Sequence, residues 1–263
     1  EVTLRLNSPD VEFIWLLSDV HFVVTAENED FDKGIGTGAF ILEKFQPGVT
    51  TLTRRNPNHW NSARGHVDSV ETQAMNDSTA RVAALVSGSA QLINRVNPRI
   101  VSRIQHMPNI RLVRAKDSAI YTFPGLMNLP PFNTVDGRLA LKYAIDRQQM
   151  IDTVLGGYAS VANDNPIFPS NRYFASDIPQ RPYDPDKARY HWKKSGFSGP
   201  LTLSVADAGF PGSVDAAQLY QQSAAKAGIQ LNVDHVPDDA FWNDIWKKKA
   251  FVSSNWSNRP TAD

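Results

Sequence analysis

Cysteine is missing from all 263 residues, which excludes disulfides and thiolate metal sites and selects no redox compartment. Net charge is missing too. Twenty-seven Lys and Arg offset 27 Asp and Glu, so no bulk field points to nucleic acid or to an acidic membrane surface. No apolar run approaches the roughly 18 residues that a membrane span requires, and the opening EVTLRLNSPD has no signal-peptide character. It reads instead as a strand and turn, which implies a removed leader or further chain before it.

Motifs for chemistry are equally scarce. The six histidines (His21, His59, His66, His106, His191 and His235) include no pair at the spacing of a metal-binding helix. His66 and Asp68 would share one face of a strand, which reads as surface pairing. There is no Gly-x-Ser-x-Gly elbow. Asp238–Asp239 could be an acid/base pair, but at a helix start capping is the stronger reading. GIGTG, Gly34–Gly38, precedes a strand, whereas a phosphate-cradling loop needs a helix after it. No catalytic site and no metal site emerge.

What is present is an ordinary globular composition, 41% hydrophobic and 21% charged, long enough for one large or two medium domains. Strands are expected at Thr3–Leu6, Ala39–Phe45 and Thr50–Arg54, the last two joined through Pro47–Gly48. From residue 67 to 120 the pattern suggests a small α/β lobe: VDSVETQAM as a strand, a helix capped by Asn76 or Asp77 and stopped at Gly88, AQLIN as a strand, a helix opened by Asn97–Pro98, then NIRLVRA and AIYTFPGLMNL as strands. Two helices follow MNLPPFN. Residues 158–183 hold four prolines and no helical period, the mark of a long ordered loop.

The last third alternates most regularly. Asp184–Pro185 caps a helix, LTLSVA is a strand, Ser213–Ala227 a helix with a small apolar face, IQLNVDHV a strand, DAFWNDIWKKK a helix capped by Asp238, and AFVSSNW a final strand. This predicts a right-handed parallel β-α-β-α-β unit. Phe241, Trp242, Ile245 and Trp246 share helical spacing and read as core. Ligands in such sheets sit beyond the carboxyl ends of the strands, which nominates Trp256, Asn258 and Arg259. The same spacing also allows a Trp256 that covers the core and an Arg259 that faces water.

Four blocks in order, GTGAFILEKFQPGVTTLTRRNPNHW, NDSTARVAALVSGSAQLI, PPFNTVDGRLALKYAIDRQQMI and YDPDKARYHWKKSG, resemble the signature segments of the family 5 extracellular solute-binding proteins. The resemblance covers residues 36–263. It implies an α/β, two-lobed periplasmic binding protein of type II, incomplete at both ends here, with residues 1–123 the later part of lobe one and 124–263 the first part of lobe two. It also implies a periplasmic or lipid-anchored, monomeric receptor with no enzymatic activity and no cofactor. Such a receptor hands a small solute to an ABC permease in the inner membrane.

The resemblance further points to Tyr121 and Phe123 on a crossover strand lining the cleft, and to Trp256 as a residue stacking on the ligand. Arg259 stands where peptide receptors of the family carry an Asp that pairs with the peptide ammonium. A guanidinium there would repel an ammonium and favour a carboxylate or phosphate. The expected ligand is therefore a peptide or an anionic, opine-like or sugar-linked compound. Two other readings stay open: an α/β enzyme with its chemistry near Trp256, and a receptor for signalling or chaperoning.

Overall fold

Pro47–Gly48 turns the chain between β1 (Phe40–Gln46) and β2 (Thr50–Arg55). Gly48 has φ +71°, a left-handed conformation that costs a side-chain-bearing residue roughly 1–2 kcal/mol. The Val49 amide closes the turn on the Gln46 carbonyl at 3.0 Å. The computed structural model describes residues 3–257 apart from residues 20, 26, 29, 116–118 and 163. Its contacts divide the chain into two compact units, the first ending at Ala80 and the second beginning at Arg81.

In the first unit, a single helical turn, α1 (Phe13–Leu16), precedes an antiparallel sheet ordered β1-β2-β3, with β3 at Ser69–Gln73. Thr3–Leu6, expected as a strand, has no regular structure. The segment expected to open an α/β lobe at residue 67 instead completes this sheet, since β3 fills the second edge of β2 from Thr50↔Gln73 to Arg54↔Ser69. A strand is stable only where a neighbour takes up its backbone groups, and β2 supplies that neighbour. None of the described residues of this unit is buried.

The second unit follows its capping signals closely. α2 (Ser78–Ser87) starts where the first unit ends, with the Asp77 carboxylate accepting the Ala80 amide at 2.7 Å. Asn97 opens α3 (Pro98–Ile104), its side chain accepting the Arg99 amide at 3.0 Å. Thr134 and Asp146 cap α4 (Val135–Ala144) and α5 (Arg147–Thr153), and Asp184 caps α6 (Pro185–Lys194). Two segments expected as strands, 90–94 and 109–115, are irregular. Neither has a hydrogen-bonded strand beside it among the described residues.

β5 (Leu201–Val205) and β6 (Leu231–His235) run parallel, in register from Leu201↔Leu231 to Val205↔His235, with α7 (Ser213–Ala225) as the crossover. The expected third parallel strand is only partly so. Val252 forms one parallel bridge to Ser204, but β7 (Ser254–Ser257) pairs antiparallel with β4 (Ala119–Thr122). The partner lies some 130 residues earlier, a pairing that local alternation cannot signal.

The expected DAFWNDIWKKK helix is also shorter. α8 (Asp238–Ala240) passes into a π-turn at Phe241–Ile245 and stops. Asp238 does not cap it: its carboxylate accepts the Ala208 amide at 2.8 Å, tying the β6–α8 connection to the loop after β5. Phe241 and Ile245 are buried, Trp246 packs beside them, and Trp242 is exposed.

The main core lies between α4, α5, α6 and α7 and the β5–β6 pair. Ala140, Ala144, Ala188, Ala217 and Ala224 have no exposed surface, which lets the helix backbones approach closely, and Leu203 and Val205 fill the sheet side. Each fully buried Leu or Val contributes roughly 1.5–3 kcal/mol. Tyr220 is held there by donating its hydroxyl proton to the Leu141 carbonyl at 2.8 Å.

Candidate functional site

β4 and β7 form a two-stranded antiparallel ribbon with the register Ala119↔Ser257, Ile120↔Trp256, Tyr121↔Asn255 and Thr122↔Ser254. Directly opposed residues in such a pair point to the same face, and successive residues alternate. Ala119, Tyr121, Asn255 and Ser257 therefore occupy one face, and Ile120, Thr122, Ser254 and Trp256 the other. Tyr121 and Phe123, two residues apart, both meet Phe210: Tyr121 stacks on it at 4.7 Å with 9° between the planes, and Phe123 approaches its edge at 5.6 Å. Phe210 is itself buried, in the loop leaving the carboxyl end of β5. The Asn255 amide donates to the Gly209 carbonyl and ties the ribbon to that same loop.

A cavity of about 340 Å³ opens on this face, lined by Arg95, Val113, Ala115, Ala119, Tyr121, Pro211, Asn255 and Ser257. Small-solute sites start at about 300 Å³ and combine apolar walls with a few polar groups; this lining has both. Burial raises the Tyr121 phenol above its ordinary pKa, and the Arg95 guanidinium pulls the other way. The hydroxyl thus stays protonated at neutral pH and is available as a donor. Arg95 lies two residues before the Asn97 cap of α3, with φ +50°.

The site residues expected from sequence separate in space. Tyr121 lines the cavity. Phe123 packs behind it, against Phe210 and against Tyr220 at 5.7 Å. Trp256 lies on the other face, where it meets Trp246 edge-on at 5.7 Å; Trp246 in turn meets Trp242 at 6.0 Å. Asn258 and Arg259 lie outside the described residues. Sequence reasoning missed Arg95, Pro211 and Asn255. Asn255 was legible in principle, because it alternates with Ser257 along the strand. Arg95 carried no local signal beyond being a charge just before a helix cap.

Family comparison reaches the whole chain. Residues 1–263 match the model of bacterial extracellular solute-binding proteins, family 5 middle. The chain belongs to this family. Among family 5 relatives it is 25% identical over 264 residues to heme-binding protein A of Haemophilus influenzae, covering 94% of this chain and 47% of that one. It is 27% identical over 206 residues to di/tripeptide-binding protein 1 of Pseudomonas aeruginosa, covering 76% and 38%. The chain thus spans about half the length of the curated family 5 relatives it matches.

Solved structures agree in fold. The periplasmic binding protein DppA of Helicobacter pylori, in complex with the peptide STSA, superposes with a TM-score of 0.84 at 20% identity, covering 96% of this chain and 51% of that one. NikA of Staphylococcus aureus, in complex with Ni(L-His)2, gives 0.79 at 20% identity, covering 96% and 55%. Over about half of their length, this family 5 chain shares the α/β fold of those two-lobed binding proteins. No helix among its described residues is long and apolar enough to cross a membrane.

Proposed function

We propose that the protein is the solute-binding component of an ABC import system, acting outside the cytoplasmic membrane and delivering a peptide or related small solute to an inner-membrane permease. The observation that carries this reading is a family 5 match over all 263 residues, joined to a 340 Å³ cavity between the β4–β7 ribbon and Pro211 of the loop that follows β5, the side on which α/β folds hold ligands. The names of relatives span heme, di- and tripeptides and glutathione, so the scaffold alone leaves the solute open.

In this proposal Tyr121 contacts the solute and Phe123 holds Tyr121 in place through Phe210. Trp256 stands apart from this contact, against Trp246 on the other face of the ribbon, with Asn258 and Arg259 after it in sequence. Lobe one would run to residue 123 and lobe two from residue 124. The cavity gathers Arg95, Tyr121, Pro211 and Asn255 from segments far apart in sequence within the second compact unit. Opine-like and sugar-linked conjugates belong to the ligand range proposed.

Native mass spectrometry of the purified protein, followed by calorimetric titration with di- and tripeptides, glutathione and heme, tests this. A co-purified small molecule or micromolar binding that leaves the solute unchanged is the expected result. Chemical turnover of a bound compound would favour an enzyme instead, and a folded protein that binds none of these would overturn the proposal.

A further inference from the structure

We propose that Arg95 makes the cavity beside β4 selective for solutes bearing a compact anionic oxygen group, a carboxylate or a phosphate; the inference rests on the solute-binding reading above. Of the described residues lining the cavity, Arg95 alone carries a formal charge. Tyr121, Asn255 and Ser257 are neutral and polar, and Val113, Ala115, Ala119 and Pro211 are apolar. No carboxylate stands among these lining residues to receive a cationic group.

Among the described residues the guanidinium is uncommitted. Arg99, four residues on, is held by Asp215 at 2.8 Å, whereas Arg95 has no ion pair or hydrogen bond among the described residues. A planar fork of five donors with no acceptor among the described residues matches the oxygens of a carboxylate or phosphate. The backbone adds an independent indication. At φ +50°, glycine or asparagine would fit with less strain; what arginine brings to this position is its charge.

A second donor supports the first. The Tyr121 ring is fixed by its stack on Phe210, and both Tyr121 and Arg95 border the same cavity. Two donors from elements far apart in sequence thus serve one space. An ammonium placed there would meet the Arg95 charge with no carboxylate among the described lining residues to offset it.

Calorimetric titration of the purified protein with two matched pairs of probes tests the assignment: Ala-Ala-Ala against its C-terminal amide, and glycerol 3-phosphate against glycerol. The expected result is that the anionic member of at least one pair binds about tenfold tighter or more; which pair discriminates tells carboxylate from phosphate. Arg95→Gln should shrink that preference to within about threefold and Arg95→Lys should keep part of it. Binding of both pairs without preference by the wild-type protein overturns the inference while leaving the solute-binding reading intact. Failure of the folded protein to bind any of these probes, together with the peptide, glutathione and heme panel, overturns both. If Arg95→Gln does not fold, the wild-type matched pairs and their weakening by salt decide the matter.

Discussion

Tyr121 and Trp256 stand on paired strands yet point to opposite faces, because Tyr121 is opposed to Asn255 and Trp256 to Ile120. The tyrosine borders the cavity and stacks on Phe210, while the tryptophan meets Trp246. A solute touching both would have to pass around the edge of the β4–β7 ribbon.

The two residues should therefore separate in mutagenesis. Tyr121→Ala is expected to weaken solute binding about tenfold or more, through loss of a stacked wall and a donor. Trp256→Ala should change binding less than about threefold and cost roughly 0.5–1.5 kcal/mol of stability through the lost contact with Trp246. Titration calorimetry and urea unfolding measure the two effects. Equal losses of affinity would place both side chains in one site.

Gly137 should not tolerate alanine. In an exposed helix interior that exchange gains about 1 kcal/mol. Here a Cβ would lie 2.1 Å from the Pro131 carbonyl oxygen, and Gly137 also donates its amide to the Thr134 hydroxyl at 3.0 Å, fixing the start of α4. Gly137→Ala is expected to lose roughly 1–3 kcal/mol and lower Tm by about 2–4 °C per kcal/mol. An unchanged or raised Tm in a thermal scan would refute the close approach.

Asp164 clamps the long loop of residues 158–183. Its carboxylate takes Arg147 at 2.5 Å and Arg181 at 2.7 Å, with Lys142 at 3.9 Å. Asp164→Asn removes the carboxylate that these three cations share and should cost roughly 1–3 kcal/mol. Limited proteolysis should then cut within 158–183 several times faster than in the wild type. Equal cleavage rates would mean that the loop is held by its apolar contacts alone.

α4 and α6 carry a pH-dependent link. The His191 hydrogen bond at 2.7 Å holds the Asp136 carboxyl below the usual carboxylate range, with Lys194 adding to the effect. A carboxyl depressed in the folded state contributes its stability above the unfolded value of about 3.9 and loses it as pH falls through the lower folded value. Asp184, lowered chiefly by the Lys187 amide, acts in the same direction. Urea midpoints measured from about pH 6 downward should show Asp136→Asn less stable than wild type at the upper end, with the gap shrinking as pH falls below the unfolded value of about 3.9. A constant gap across the range would contradict the link.

Local signals fixed the helix starts. Asn97, Asp146 and Asp184 cap where their side chains meet free amides, because a cap is an interaction within four residues. The β5–α7–β6 unit was equally legible, since a parallel pair joined by a helix is a short-range pattern. Family membership was also in the chain, carried by four ordered blocks. Tertiary structure alone decided the partner of β7, the face on which Tyr121 and Trp256 point, and the meeting of Arg95 with Tyr121 around one cavity. Those depend on which backbones far apart in sequence share hydrogen bonds. A shift of one residue in that register would exchange the two faces, and nothing in the local order of residues records it.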